Sequence, residues 1–101
     1  PYWTATSGSG TVIFSLAGVA LSNDDAIDTA FGTVQTSTDT LLTALDVHEG
    51  PESAAVTIAG TPAAGDITYF QIARDISDTL GVDAKLIGIK LIYTIDSNVD
   101  D

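Results

Sequence analysis

Residues Ala84–Ile95 read A-K-L-I-G-I-K-L-I-Y-T-I. A run so rich in β-branched and aromatic side chains is too apolar to hang free in water, and it predicts a strand held inside a sheet. Alternation places Ile87, Ile89, Leu91 and Tyr93 on the core face and Lys90 and Thr94 on the other. Lys85 and Lys90 lie off the core face, where lysine commonly guards a sheet against unwanted pairing. The acidic stretch Asp96–Asp101 follows and marks the exit to solvent. A chain that ends this way closes by zipping its last strand into a sheet.

The other segments agree with an all-β reading. Tyr2–Thr6 alternates, and Ser7–Gly10 makes a flexible turn. Thr11–Leu21 reads as a strand with Val12, Phe14 and Leu16 on one face and a small or apolar second face, so both faces are covered. Ser22–Asp25 is a turn or cap. Ala26–Phe31 fits one short helical turn, pinned to the core by Ile27 and Phe31 at i, i+4 spacing and ended by Gly32. Thr33–Leu42 has the Thr-rich composition of a strand with one wet face. Leu41–Val47 fits a helical turn as well as a strand. Ala54–Ala59 is a short strand with Val56 and Ile58 together. Gly60–Asp66 is a turn cluster. Ile67–Asp75 is a strand with Phe70 and Ile72 on one face and Tyr69 on the other. Ile76–Asp83 is a loop. Strands at this spacing with almost no helix predict one antiparallel β-sandwich domain over residues 1–101.

The net charge of −11, with three cations against fourteen acids, argues against phosphate backbones and anionic membranes as partners. Mean hydropathy is nevertheless +0.28, which separates the chain from disordered acidic tails. The sequence contains no cysteine, hence no disulfide framework and no thiolate chemistry. No apolar run reaches the roughly 18–20 residues that span a bilayer as a helix. The opening Pro-Tyr-Trp, without a Met, reads as a processed product or as the ordered part of something longer.

Few residues carry candidate chemistry. Asp75, Asp78 and Asp83 form the densest carboxylate group, followed by Asp24, Asp25 and Asp28. Loop aspartates with backbone carbonyls are the ligands a calcium ion takes, yet the spacing matches no EF-hand. Solvated turn acids with no cofactor are the first expectation, and a Ca²⁺ site at Asp75, Asp78 and Asp83 is the alternative. Arg74 shares the parity of Phe70 and Ile72, so its stem enters the edge of the core and its guanidinium needs a carboxylate. Asp83 is the expected partner, with Asp78 and Asp66 also in reach. His48 has Asp46 and Glu49 beside it but no nucleophile, and it reads as a loop residue without a catalytic role. Tyr2, Trp3 and Tyr93 are core or interface aromatics, or else a platform for sugar.

The stretch Thr61–Thr94 contains Ala64-Gly65-Asp66, Arg74-Asp75, the acidic loop Asp78–Ala84 and a closing Tyr93-Thr94. With these features it resembles the C-terminal half of a jelly-roll domain found in tailed-bacteriophage virion proteins. Upstream, G-T-V-I-F-S-L and D-D-A-I-D-T-A-F-G-T are also similar. The resemblance implies a capsid decoration protein, head fibre or tail-fibre tip on the virion surface. Such a subunit is non-enzymatic and assembles as a homo-oligomer, most simply a trimer, against the major capsid or other virion proteins. The family domains carry further strands before their Trp segment, so this chain is expected to lack the first strands of the jelly roll, with a neighbour covering the open edges. Other classes are a receptor- or carbohydrate-binding fibre tip, a pilus or surface-layer subunit that polymerises by donated strands, and, last, a hydrolase.

Overall fold

The computed structural model describes residues 1–93 of the 101. Thr94, Ile95 and the acidic stretch Asp96–Asp101 of the sequence reading lie outside them. Among the described residues there are seven strands and no helix. They are β1 (Tyr2–Thr4), β2 (Thr11–Leu21), β3 (Gln35–Thr40), β4 (His48–Glu49), β5 (Ile58–Ala59), β6 (Ile67–Arg74) and β7 (Lys85–Gly88).

The eleven-residue β2 organises the larger sheet. Its bounds are those its composition predicts. On one edge it pairs antiparallel with β3, from Thr11↔Thr40 to Leu16↔Gln35. The same edge then takes β5 in parallel at Gly18↔Ile58 and Val19↔Ala59. On the other edge it pairs antiparallel with β6, from Phe14↔Arg74 to Leu21↔Ile67. Flanked on both sides, β2 holds Ala17–Ala20 as a run of four buried residues. The second sheet is smaller and runs β4–β1–β7, all antiparallel. The chain is thus all-β in two sheets, with the short β2–β5 pair as its parallel element.

The sheets meet through Trp3 of β1, which is fully buried with its ring 6.4 Å from that of Phe14 on β2, edge to face. Ala5, Val12, Leu41 and Leu80 complete this core, and Ile72, Val82 and Ala84 pack against it. Burial takes the indole N–H out of water, so it needs an acceptor. Asp39 Oδ2 on β3 accepts it at 2.9 Å. The Ser37 hydroxyl donates to the Pro51 carbonyl at 2.6 Å, which ties β3 to the segment after β4. Arg74 at the end of β6 donates to the Val82 carbonyl at 2.6 Å, just before β7. These contacts set β4 over β3, β1 over β2 and β7 over β6.

Three expectations from the sequence are corrected. Ala26–Phe31 is not a helical turn that pins the core: Ile27 is 82% exposed. A single turn between Asp24, at φ 70°, and Gly32 is too short to repay helix nucleation, and the segment runs as turns and irregular chain. The strand expected over Ala54–Ala59 shortens to Ile58–Ala59. Among the described residues, the strand expected over Ala84–Ile95 is regular over Lys85–Gly88 alone, and its predicted core face is largely uncovered. Trp3 pairs with Leu86 while Tyr2 pairs with Gly88, so Ile87 is the extra residue of a bulge. A bulge reverses side-chain parity. Leu86 therefore shares the face of Trp3, and Ile87 is 57% exposed.

Gly60 closes β5 against β2 at φ +88°, where a Cβ would run into the Ala20 carbonyl. Gly60→Ala is expected to cost about 2 kcal/mol or more, from the left-handed backbone and the backbone clash together. Urea unfolding followed by circular dichroism measures this. A loss under half a kcal/mol would mean that the β5 pairing contributes nothing to stability.

Candidate functional site

The turn after β6 brings one pair of charged groups into tight register. Asp78 N–H donates to the Asp75 carbonyl at 3.3 Å, and this folds Asp78 back beneath the strand. Its carboxylate then receives Arg74 Nε at 2.7 Å and Nη2 at 3.0 Å, a bidentate pair, and Ile13 N–H at 3.2 Å. The partner of Arg74 is thus Asp78, whose side chain is 4% exposed, and not Asp83. Asp83 adds only through-space attraction to the guanidinium. A nearby turn places Asp78 four residues on, where its geometry matches the planar fork of arginine.

The three carboxylates expected as calcium ligands do not converge. Asp78 is taken by Arg74 and Ile13. Asp75 accepts from Ser77 N–H at 2.9 Å and from its hydroxyl at 2.8 Å. Among the described residues no group of three or more His, Asp or Glu side chains is placed to hold a metal ion. Asp25 accepts from Ser22 N–H and closes its own turn. Asp24 accepts from Asn23.

Hydrogen bonds to Arg74 hold the Asp78 carboxyl below its usual 3.8, against the opposing effect of burial. Because its folded pKa is depressed, its contribution to stability is complete above about pH 4 and is lost as the pH falls through the lower folded value. Asp75 shifts the same way, first through Ser77 N–H and then through the Ser77 hydroxyl. Stability is therefore expected to fall on acidification below pH 4, with a shallower acid limb in Asp78→Asn. Melting temperatures measured between pH 2 and 6 test this, and identical slopes for the two proteins would refute it.

His48 is not a free loop residue. It lies in β4, is 8% exposed and packs on Trp3 with ring centroids 5.0 Å apart. Its Nε2 accepts from Leu42 N–H at 3.1 Å, and its Nδ1 faces the Asp46 carbonyl at 3.0 Å. Both ring nitrogens serve the backbone, so the imidazole holds the Leu41–Val47 loop and has no free nitrogen to offer a substrate. The predicted aromatic set is also split. Trp3 is in the core, Tyr93 is 80% exposed and Tyr2 is half-buried.

What the structure does assemble is a wide apolar groove of about 770 Å³. Phe14, Leu16, Phe70 and Ile72 form its wall on the larger sheet, and Ile89 and Leu91 face them from the continuation of β7. Tyr2, Glu49 and Lys90 gather at its rim. Lys90 Nζ lies 3.6 Å from Glu49 Oε2 and 5.6 Å from the centre of the Tyr2 ring. Hydrogen bonding to Tyr2, and then the Lys90 charge, lowers the Glu49 pKa; Tyr2, and then Glu49, raises that of Lys90. No family model matches the chain, and no curated protein or solved structure matches it. The groove therefore has to be read from its own geometry.

That geometry is one of uncovered surface. Among the described residues, nine of the sixteen exposed large hydrophobics belong to the two strands that edge this side of the sandwich, three on β6 and six in residues 86–93, with Ile67 and Tyr69 turned away from the groove. The sequence reading places Ile87, Ile89, Leu91 and Tyr93 on a core face, and it expects open edges covered by a neighbour without locating them on these strands. The signal available was the double-sided apolar character of both strands, which also fits a surface awaiting a partner.

Proposed function

We propose that this chain is a non-enzymatic structural subunit that acts by binding, a decoration or fibre component of a virion surface assembled from many copies. The observation that carries the binding role is the apolar side formed by β6 and residues 86–93. Monomeric proteins rarely expose contiguous apolar patches beyond a few hundred Å², and larger ones mark contact surfaces. The virion assignment and the jelly-roll connectivity rest on the sequence resemblance over Thr61–Thr94. The anionic exterior fits a particle component that must stay soluble at high local density. Incubating the purified chain with phage particles that lack their surface decoration, then imaging by cryo-electron microscopy, tests the reading. Regular added density is expected. Particles that remain bare at saturating protein would rule it out.

A second reading, a carbohydrate-binding fibre tip, is favoured by Tyr2 and Tyr93, which both line the groove. It loses Trp3, whose indole is enclosed. Its prediction is that Tyr93→Ala abolishes binding to a glycan array while leaving the fold unchanged.

A further inference from the structure

The β7 edge of the smaller sheet and the β6 edge of the larger one open on the same side. No described strand pairs with β6 beyond β2, or with β7 beyond β1. Asp75 N–H donates inward to the Ile13 carbonyl at 2.8 Å. By the alternation of an antiparallel ladder, Ile67, Tyr69, Gln71 and Ala73 likewise turn their backbone groups toward β2. Thr68, Phe70 and Ile72 then turn theirs outward. An edge of this length is a ready template for another strand unless something blunts it. Among the described residues nothing does: Ile67–Ala73 contains no charge and no proline. Lys90, expected to guard the last strand, is instead drawn to Glu49 and Tyr2 at the rim.

We propose that this side is a reciprocal contact between two copies of the chain, in which β6 of each copy pairs with the 85–93 segment of the other. The inference rests on the assembly reading above and names its surface and partner. Two observations select a second copy. The first is geometric. A two-fold axis parallel to the strands, set between the two sheets, carries the β7 layer of one copy into line with the β6 layer of the other. One contact then closes both edges and both grooves, as an isologous interface requires. The second is area. Phe70, Ile89, Leu91, Ile92 and Tyr93, the exposed side chains that line the groove, present roughly 500 Å², taking about 200 Å² for each if fully exposed, and the two open strand edges add to this toward the ~800 Å² per partner of a stable interface.

Sedimentation velocity of the full chain is expected to show a dimer, twice 10.4 kDa, at about 10 μM and above. Because both copies are anionic overall, added salt should tighten the dimer, whereas a basic partner would be released by salt. Leu91→Asp, which sets a charge in the groove, should weaken the dimer at least about tenfold. Hydrogen exchange of the unaltered protein gives a readout that does not depend on a variant's folding. The amides of Thr68, Phe70 and Ile72 should exchange about tenfold or more slowly as protein concentration rises through the dimer range. A monomer at every concentration overturns the proposal, as do a trimer, exchange at these amides that ignores concentration, and native mass spectra showing one copy with a bound apolar small molecule. A monomer that still decorates particles would sink the pairing and leave the assembly reading standing. A dimer that ignores particles would do the reverse.

Discussion

Trp3→Ala is expected to remove about 3–5 kcal/mol of folding stability, the range for deleting a buried aromatic. Trp3 is fully enclosed and edge-on to Phe14 of the opposite sheet. It is stacked on His48, and its backbone lies between His48 and Leu86 in the middle of the smaller sheet. One truncation thus opens a cavity at the joint of the two sheets and takes the indole donor from Asp39 Oδ2, leaving that carboxylate its bond from Thr40 N–H. Domains of this size have little stability in reserve. A loss of this magnitude lowers the melting temperature by roughly 15–30 °C at about 4–8 °C per kcal/mol. Calorimetry of Trp3→Ala and Trp3→Phe separates the contributions. Phenylalanine keeps most of the contact area but not the donor, and should lose about 0.5–1.5 kcal/mol, the net contribution of a hydrogen bond to a half-exposed acceptor. A Trp3→Ala protein that melts within about 3 °C of the parent, under 1 kcal/mol, would mean that the sheets are held together elsewhere.

The parts of the fold that were legible in the sequence are those set by local alternation. Thr11–Leu21 and Ile67–Arg74 carry long β-rich runs between Gly- and Asp-containing turns, and they form as expected because tertiary context only reinforces the local preference. The hinge Gly60–Asp66 was legible for the same reason: its glycines and proline leave few alternatives, and Asp66 N–H bonds the Ala63 carbonyl at 3.2 Å to close the turn. What escaped depends on non-local register. The stack of His48 on Trp3 joins residues forty-five apart in sequence, and nothing in either neighbourhood announces it. The bulge at Ile87 depends on how β7 meets β1, so a period-two reading of Ala84–Ile95 assigns that residue to the wrong face. The groove is harder still. An apolar strand reads the same whether its own sheet or a neighbour covers it, and only the placement of β6 and β7 at one open side separates the two.

Asp78→Ala is expected to lose about 2–4 kcal/mol, close to Trp3→Ala although it removes far less volume. The reason is what it leaves behind. Arg74, 27% exposed, keeps its charge and loses both bonds to its carboxylate, and Ile13 N–H loses its acceptor. Breaking a buried pair by removing one member is costly because the survivor is uncompensated. Replacing both members with apolar residues, as in Arg74→Met with Asp78→Leu, should therefore cost less than Asp78→Ala alone, and urea unfolding of the three proteins tests that order. If the double variant is the least stable, the pair's own attraction dominates and the desolvation argument fails. The consequence extends to the groove. Arg74 also holds the Val82 carbonyl, just before β7, so losing its geometry loosens the link between the β6 end and the start of β7, which stays paired to β1. Asp78→Ala should therefore weaken self-association beyond what its folded fraction accounts for. Sedimentation at matched folded concentration measures that excess, and a dimer constant equal to that of the parent would separate the ion pair from assembly.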